Sequence, residues 1–264
     1  MLAAFPRSAY LELRGRVVAL AAASLGRGPL AILVDGFDGT QLSPGDEAAL
    51  AEGRLRVGAY EIVLDGADRW DPTLPRPSAG AARRLPEVER ALARTAPPES
   101  AAALLGHPPA AASARHHRLL DTLGAGLAAL AEGLRRRDAA GALVTAVAAV
   151  AGRGPGLTPS GDDVLVGILH AMTAWPVLAE PAGGPPVRRR IAAAASPLTT
   201  RISAAYLRTA AEGWAAEPWH ALIAALDRTD AALDAAVAAL VRVGETSGAD
   251  ALTGFCWAVR RLGA

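Results

Sequence analysis

The sequence predicts an α+β fold, with a small N-terminal β-sheet or partial barrel followed by a larger, mostly α-helical domain. Three observations predict it. Short apolar runs broken by turn signals fill the first quarter of the chain, a Pro/Gly/Arg-rich stretch follows between residues 70 and 84, and beyond it Ala- and Leu-rich segments recur at helical spacing. With 264 residues, 52% of them hydrophobic, the chain can bury a sizeable core. The expected division is a β-rich domain over 1–78 and a helical domain over 79–264.

The β-like runs are 16–22, 30–34, 55–57 and 60–64, punctuated by Asp-Gly, Gly-Thr and Pro-Gly pairs. Pro86 marks a helix start, because proline fits the first helical turn. A long Ala/Leu-periodic segment spans 109–137, and Asp138 reads as the cap of the next helix. Later helices are expected to begin near Ser160, Pro185, Ser196, Glu217, Asp230 and Thr246.

All 27 cationic residues are Arg; the chain has neither Lys nor Asn, and its net charge is +1. Chemistries that need an amine, such as a lysine phosphate loop or a Schiff base, are excluded. Cys256 is the only cysteine and sits in an apolar helical stretch, which reads as a buried thiol and excludes a cysteine zinc site. Arg7, Glu12, Arg14 and Arg16 interrupt any signal-peptide core, and the uncharged run 139–152 is too short to span a bilayer. A cytoplasmic protein without membrane or nucleic-acid partners is expected. The runs Arg135-Arg136-Arg137 and Arg188-Arg189-Arg190 read as solvated helix ends.

An octet of the form S-G-x-D-x-L-x-G occurs twice, as Ser160-Gly161-Asp162-Asp163-Val164-Leu165-Val166-Gly167 and as Ser247-Gly248-Ala249-Asp250-Ala251-Leu252-Thr253-Gly254. Each copy leads into an apolar helix, with a hydroxyl at the entrance and an acid in the first turn. Free N–H groups and the helix dipole make such an entrance an anion seat, although a first-turn carboxylate can satisfy the dipole by itself. Two like entrances suggest one two-part site. The loop before the first copy carries Gly152, Gly154, Pro155, Gly156 and Pro159, a bare backbone that a ligand can approach. An ordinary capped helix start fits the same residues.

A third segment reads as an N-cap at Ser196 followed by Pro197, with Thr199, Thr200 and Ser203 as hydroxyl donors beside Arg201. Hydroxyls bonding back to their own helix are the alternative. His107, His116, His117, His170 and His220 show no metal-ligand spacing and read as packing or surface residues; Trp175, Trp214, Trp219 and Trp257 read as core.

Taken in order, the segments 152–167, 199–203 and 246–254 resemble the signature of a family that includes the AllH-type subunit of oxamate carbamoyltransferase. Arg153 stands where that family's pattern has an apolar residue. The resemblance implies a subunit of an enzyme converting oxalurate and phosphate to oxamate and carbamoyl phosphate, working with partner subunits in nitrogen catabolism and needing no organic cofactor. Gly154, Gly156, Thr158, Ser160, Gly161, Asp162, Thr199, Thr200, Ser203, Thr246, Ser247 and Gly248 are then expected to bind an anionic substrate or phosphate. Asp163 and Asp250 are the expected catalytic acids and the groups that could hold Mg. A non-catalytic assembly subunit and a stand-alone phosphate- or acyl-handling enzyme stay open.

Overall fold

The computed structural model describes residues 1–78, 80–106, 112–135, 140–182, 184 and 186–263. The chain divides into two compact units, Met1–Pro72 and Thr73–Ala264. The architecture is α+β, as the sequence predicts.

The first unit contains β1 (Ala3–Phe5), β2 (Ser8–Leu13), β3 (Arg16–Ala22), β4 (Ala31–Val34), β5 (Ala48–Ala51), β6 (Arg54–Val57) and β7 (Tyr60–Val63). They form two sheets where one sheet or partial barrel was expected, four strands in the order β1-β2-β3-β4 and three in the order β5-β6-β7. Neighbours are antiparallel except β3 and β4, which run parallel with Ala19 opposite Ala31. Two hairpins turn through left-handed pairs, Arg14-Gly15 and Glu52-Gly53, the twist that two-residue hairpins favour. Inward side chains from both sheets, among them Leu11, Leu20, Leu55 and Ile62, share one core with Phe37 and Leu42. The expected runs omit β1 and β5, which are short and Ala-rich and carry little β signal of their own, and β2, whose alternating Ala9 and Leu11 point inward.

The second unit contains α1 (Leu85–Thr95), α2 (Ala114–Arg135), α3 (Ala140–Val150), α4 (Ser160–Ala174), α5 (Pro186–Ala195), α6 (Arg201–Ala211), α7 (Glu217–Ala225), α8 (Asp230–Val241) and α9 (Ser247–Leu262). The starts expected at Glu217 and Asp230 are found. Ser196 is not an N-cap: its hydroxyl donates to the Ala192 carbonyl at 2.7 Å, and 196–198 form a short 3-10 turn after α5. The cap of α6 is Thr200, whose hydroxyl accepts the Ser203 N–H at 3.0 Å. The expected cap Asp138, the expected start Pro185, and His107, Pro109, Arg136 and Arg137 lie outside the described residues. Among the described residues no helix is long and apolar enough to cross a membrane.

The centre of this unit is α4, almost every residue of which is buried, and its most extensive helix contact is with α9. A helix buried on all sides cannot show an amphipathic stripe. The histidines behave as packing or surface residues: His170 is fully enclosed against Trp219, ring centroids 4.7 Å apart, and burial lowers its pKa to about 3, so it is neutral. Trp214 departs from the expected core set and is 42% exposed. Cys256 is buried, as its apolar context predicts.

Candidate functional site

The two octets build the α4/α9 pair, and they do so reciprocally. A side chain on Gly167 would run into the carbonyl oxygen of Ala251, and one on Gly254 into that of Val164, which holds the same octet slot as Ala251. The first glycine of each octet, at its second position, repeats the device against the preceding helix. Gly161 lies against the Val150 carbonyl at the end of α3, and Gly248 against the Leu240 carbonyl near the end of α8. Their amides are engaged as well, Gly161 N–H on Arg153 O at 2.8 Å and Gly248 N–H on Val243 O at 3.0 Å. These two N–H groups therefore do not form an anion seat; both glycines let backbones approach. Leu165 and Leu252, the shared leucine of the octets, are fully buried.

This packing sets α4 and α9 to start side by side, with the Thr158 and Ser247 hydroxyls 2.9 Å apart. The fourth residue of each octet then faces the first residue of the other. Ser247 supports the charged form of Asp163, and Ser160 does the same for Asp250. The two acids differ in what else they touch. Asp250 is fully buried; it accepts the Ala101 N–H at 2.5 Å and the Thr246 hydroxyl at 2.9 Å. Thr246 therefore serves Asp250 rather than capping α9. The Ala101 contact was invisible to sequence reasoning, because a backbone N–H leaves no residue signature. Asp163 is 8% exposed, and its Oδ2 is buried without a hydrogen-bond partner.

Burial pushes the Asp163 carboxyl well above the usual range, Asp250 adds repulsion, and the Ser247 and Thr158 hydroxyls only partly oppose this. Burial likewise raises Asp250, to about 6, against the Ala101, Ser160 and Thr246 contacts. Two facing carboxyls with raised pKa values form a proton-holding pair.

Asp162 does a different job. Its Oδ1 accepts the Gly152 N–H at 2.8 Å; its Oδ2 accepts the hydroxyls of Thr199 and of Ser203, the latter at 2.9 Å. One carboxylate thus ties the 151–159 loop, α4 and the start of α6 together. Burial raises its pKa, opposed first by Thr199. The Thr200 hydroxyl donates to the Leu157 carbonyl at 2.5 Å, fastening the loop a second time. The hydroxyls expected to form an oxyanion-binding edge therefore donate within the protein. Gly152 has φ +70° and lies against the Leu198 carbonyl, so the turn accepts no side chain there. Gly154 is half-buried, and Gly156 and Leu157 are exposed on the loop that precedes Thr158.

Among the described residues no three His, Cys, Asp or Glu side chains converge as a metal site. The oxygen donors at hand are Asp163 Oδ2 and the Thr158 and Ser247 hydroxyls. That set holds too little charge to strip water from a magnesium ion, and fits one only if a substrate phosphate completes it.

Fold and site together define an α+β protein whose helical unit joins two copies of one helix entrance around a buried acid pair. The segment 150–259 matches the family described as oxamate carbamoyltransferase subunit AllH. The resemblance read from the three motifs is thus shown over that segment, which contains both octets and the Thr199–Ser203 turn between them. No solved structure matches the chain.

Proposed function

We propose that the chain is a co-catalytic subunit of an oxamate carbamoyltransferase-like enzyme, acting on oxalurate and phosphate in the cytoplasm. The observation that carries this reading is Asp163 Oδ2, a buried carboxyl oxygen with no partner, at the mouth of the doubled entrance in the segment that matches the family.

The phosphorolysis needs one oxygen of phosphate to bond the carbamoyl carbon while the bond from that carbon to the oxamate nitrogen breaks. The departing nitrogen must gain a proton. A carboxyl whose pKa is raised by burial holds its proton more readily and suits that transfer as a general acid, and burial raises Asp163 in this way. In the reverse direction its carboxylate accepts the amide proton as the nitrogen attacks. Thr158 and Ser247 hold the Asp163 carboxyl in place, the amides of Gly154 and Gly156 approach the phosphate, and Asp250 with Ser160 positions the pair. Magnesium, when bound, would neutralise charge shared between phosphate and Asp163.

The acid pair itself offers carboxyls, hydroxyls and backbone, so the counter-charge for phosphate comes from a metal, from Arg153 of the loop or from partner subunits. Carbamoyl phosphate formation from oxalurate is the test, run with and without the co-encoded proteins and with Asp163→Asn in the assembled complex. Turnover only in the complex, abolished by Asp163→Asn while assembly persists, is expected. A complex that turns over normally with Asp163→Asn would make this chain an assembly subunit; full turnover by the isolated chain would make it a stand-alone enzyme.

A further inference from the structure

A groove of about 640 Å³ lies between α2, the 101–105 turn and the C-terminal end of α9. That volume is typical of a small-molecule site. Its floor is apolar, formed by Leu105, Leu127, Ala131 and Trp257, with Gly124 and Ala128 presenting almost no side chain. A Cβ on Gly124 would meet only the tip of Leu104, at 3.7 Å, so the groove runs open over this stretch of α2.

Three guanidinium groups line the groove, on Arg135, Arg260 and Arg261, and among the described residues no carboxylate does. Arg135 is paired with Glu132 at 2.7 Å, and Arg260 bonds the Leu105 carbonyl at 3.2 Å with Glu89 at 3.4 Å. Arg261 has no carboxylate partner among the described residues. An apolar floor beneath cations with incomplete counter-charge repels a cation and offers no side-chain acceptor to a sugar. It suits a molecule with an apolar chain or ring and one anionic group.

We propose that this groove binds a small amphipathic anion, its apolar body on Leu127 and Trp257 and its charge at Arg261. The site is separate from the acid pair: Arg260 is ten residues beyond Asp250, about 15 Å along α9. The proposal therefore stands or falls independently of carbamoyl transfer.

The probe is 1-anilinonaphthalene-8-sulfonate, titrated fluorimetrically into the full chain, with octanoate, octanol and octylammonium as competitors. Expected is a single saturable site from which octanoate displaces the dye at least tenfold better than the other two. Arg261→Glu weakens dye and octanoate at least tenfold, and Ala128→Trp, placed at an exposed position of the floor, abolishes binding; melting temperatures report that both variants remain folded. Non-saturable dye binding, equal competition by octylammonium, or unchanged affinity in Arg261→Glu would overturn the proposal.

Discussion

The two octets share five residues in eight, yet the structure uses them unequally. Both copies supply the same packing: a glycine at the second position against the preceding helix, and a glycine at the eighth against the partner octet. The third position separates them. Asp162 in the first copy gathers a loop amide and two hydroxyls, whereas Ala249 in the second is simply buried. The approach loops differ too, since the carbonyl met by the first glycine's amide is eight residues upstream in the first copy and five in the second. The three extra residues lengthen the exposed loop ahead of α4, while Asp250 is closed off by Ala101. A duplicated frame thus carries one buried acid with an unpartnered oxygen and one whose two oxygens are both engaged.

Breaking the shared frame should have the largest effect. Gly167→Val or Gly254→Val puts side-chain atoms against a backbone carbonyl, which cannot rotate away, so the loss should reach or exceed the ~1–3 kcal/mol typical of overpacking. Gly141→Ala in α3, where a Cβ meets nothing, should be neutral or stabilising by up to about 1 kcal/mol. Urea titration compares them; equal midpoints for all three variants would dismiss the close-approach argument.

Asp162→Ala tests what is peculiar to the first copy. Three donors lose their acceptor, and at ~1 kcal/mol or more for each the expected loss is about 3 kcal/mol. Limited proteolysis should also cut the 153–157 arch faster. A variant as stable and as protease-resistant as the parent would show that Asp162 does not hold the arch.

The enclosed acid has a pH signature. Because burial raises the folded pKa of Asp250 from 3.8 to about 6, the folded chain holds this proton more tightly than the unfolded chain. The stability it adds is complete below pH 3.8 and is lost as pH rises through 6, by about 3 kcal/mol in all. Asp163 acts in the same direction. The melting temperature should therefore lose this contribution between about pH 4 and 6.5, and Asp250→Asn should reduce the slope there; an unchanged slope would remove Asp250 from the account.

Asp163→Asn should perturb stability least, and above neutral pH it should raise it slightly, because a carboxylate with a buried, unpartnered oxygen disfavours the fold when charged. Calorimetry at pH 8 beside an assay of the complex separates the roles. A large fall in melting temperature would mean that the acid is structural after all.

Much of this was legible in the chain. The α+β order, the starts of α7 and α8 and the doubled octet follow from local rules of capping, period and turn chemistry. The placement of Ser160, Ser247, Asp163 and Asp250 about one entrance followed from reading the repeat as a two-part site. The roles of Gly161, Gly248, Thr199 and Ser203 did not, because their partners are backbone groups or a carboxylate distant in sequence. A glycine that frees an amide for a ligand and one that admits a neighbouring helix look identical in one dimension.

The sequence by itself determined that two like helix entrances exist, that no lysine serves them and that each carries an acid, since these are matters of composition and local pattern. Only the tertiary structure decided which acid keeps an unpartnered oxygen and which has both oxygens engaged. That choice depends on Ala101, 149 residues from Asp250 in the chain, delivering a backbone N–H into its carboxylate. Long-range packing alone brings that donor to a buried charge, and the desolvation there, more than the residue type, sets the proton affinity of the pair.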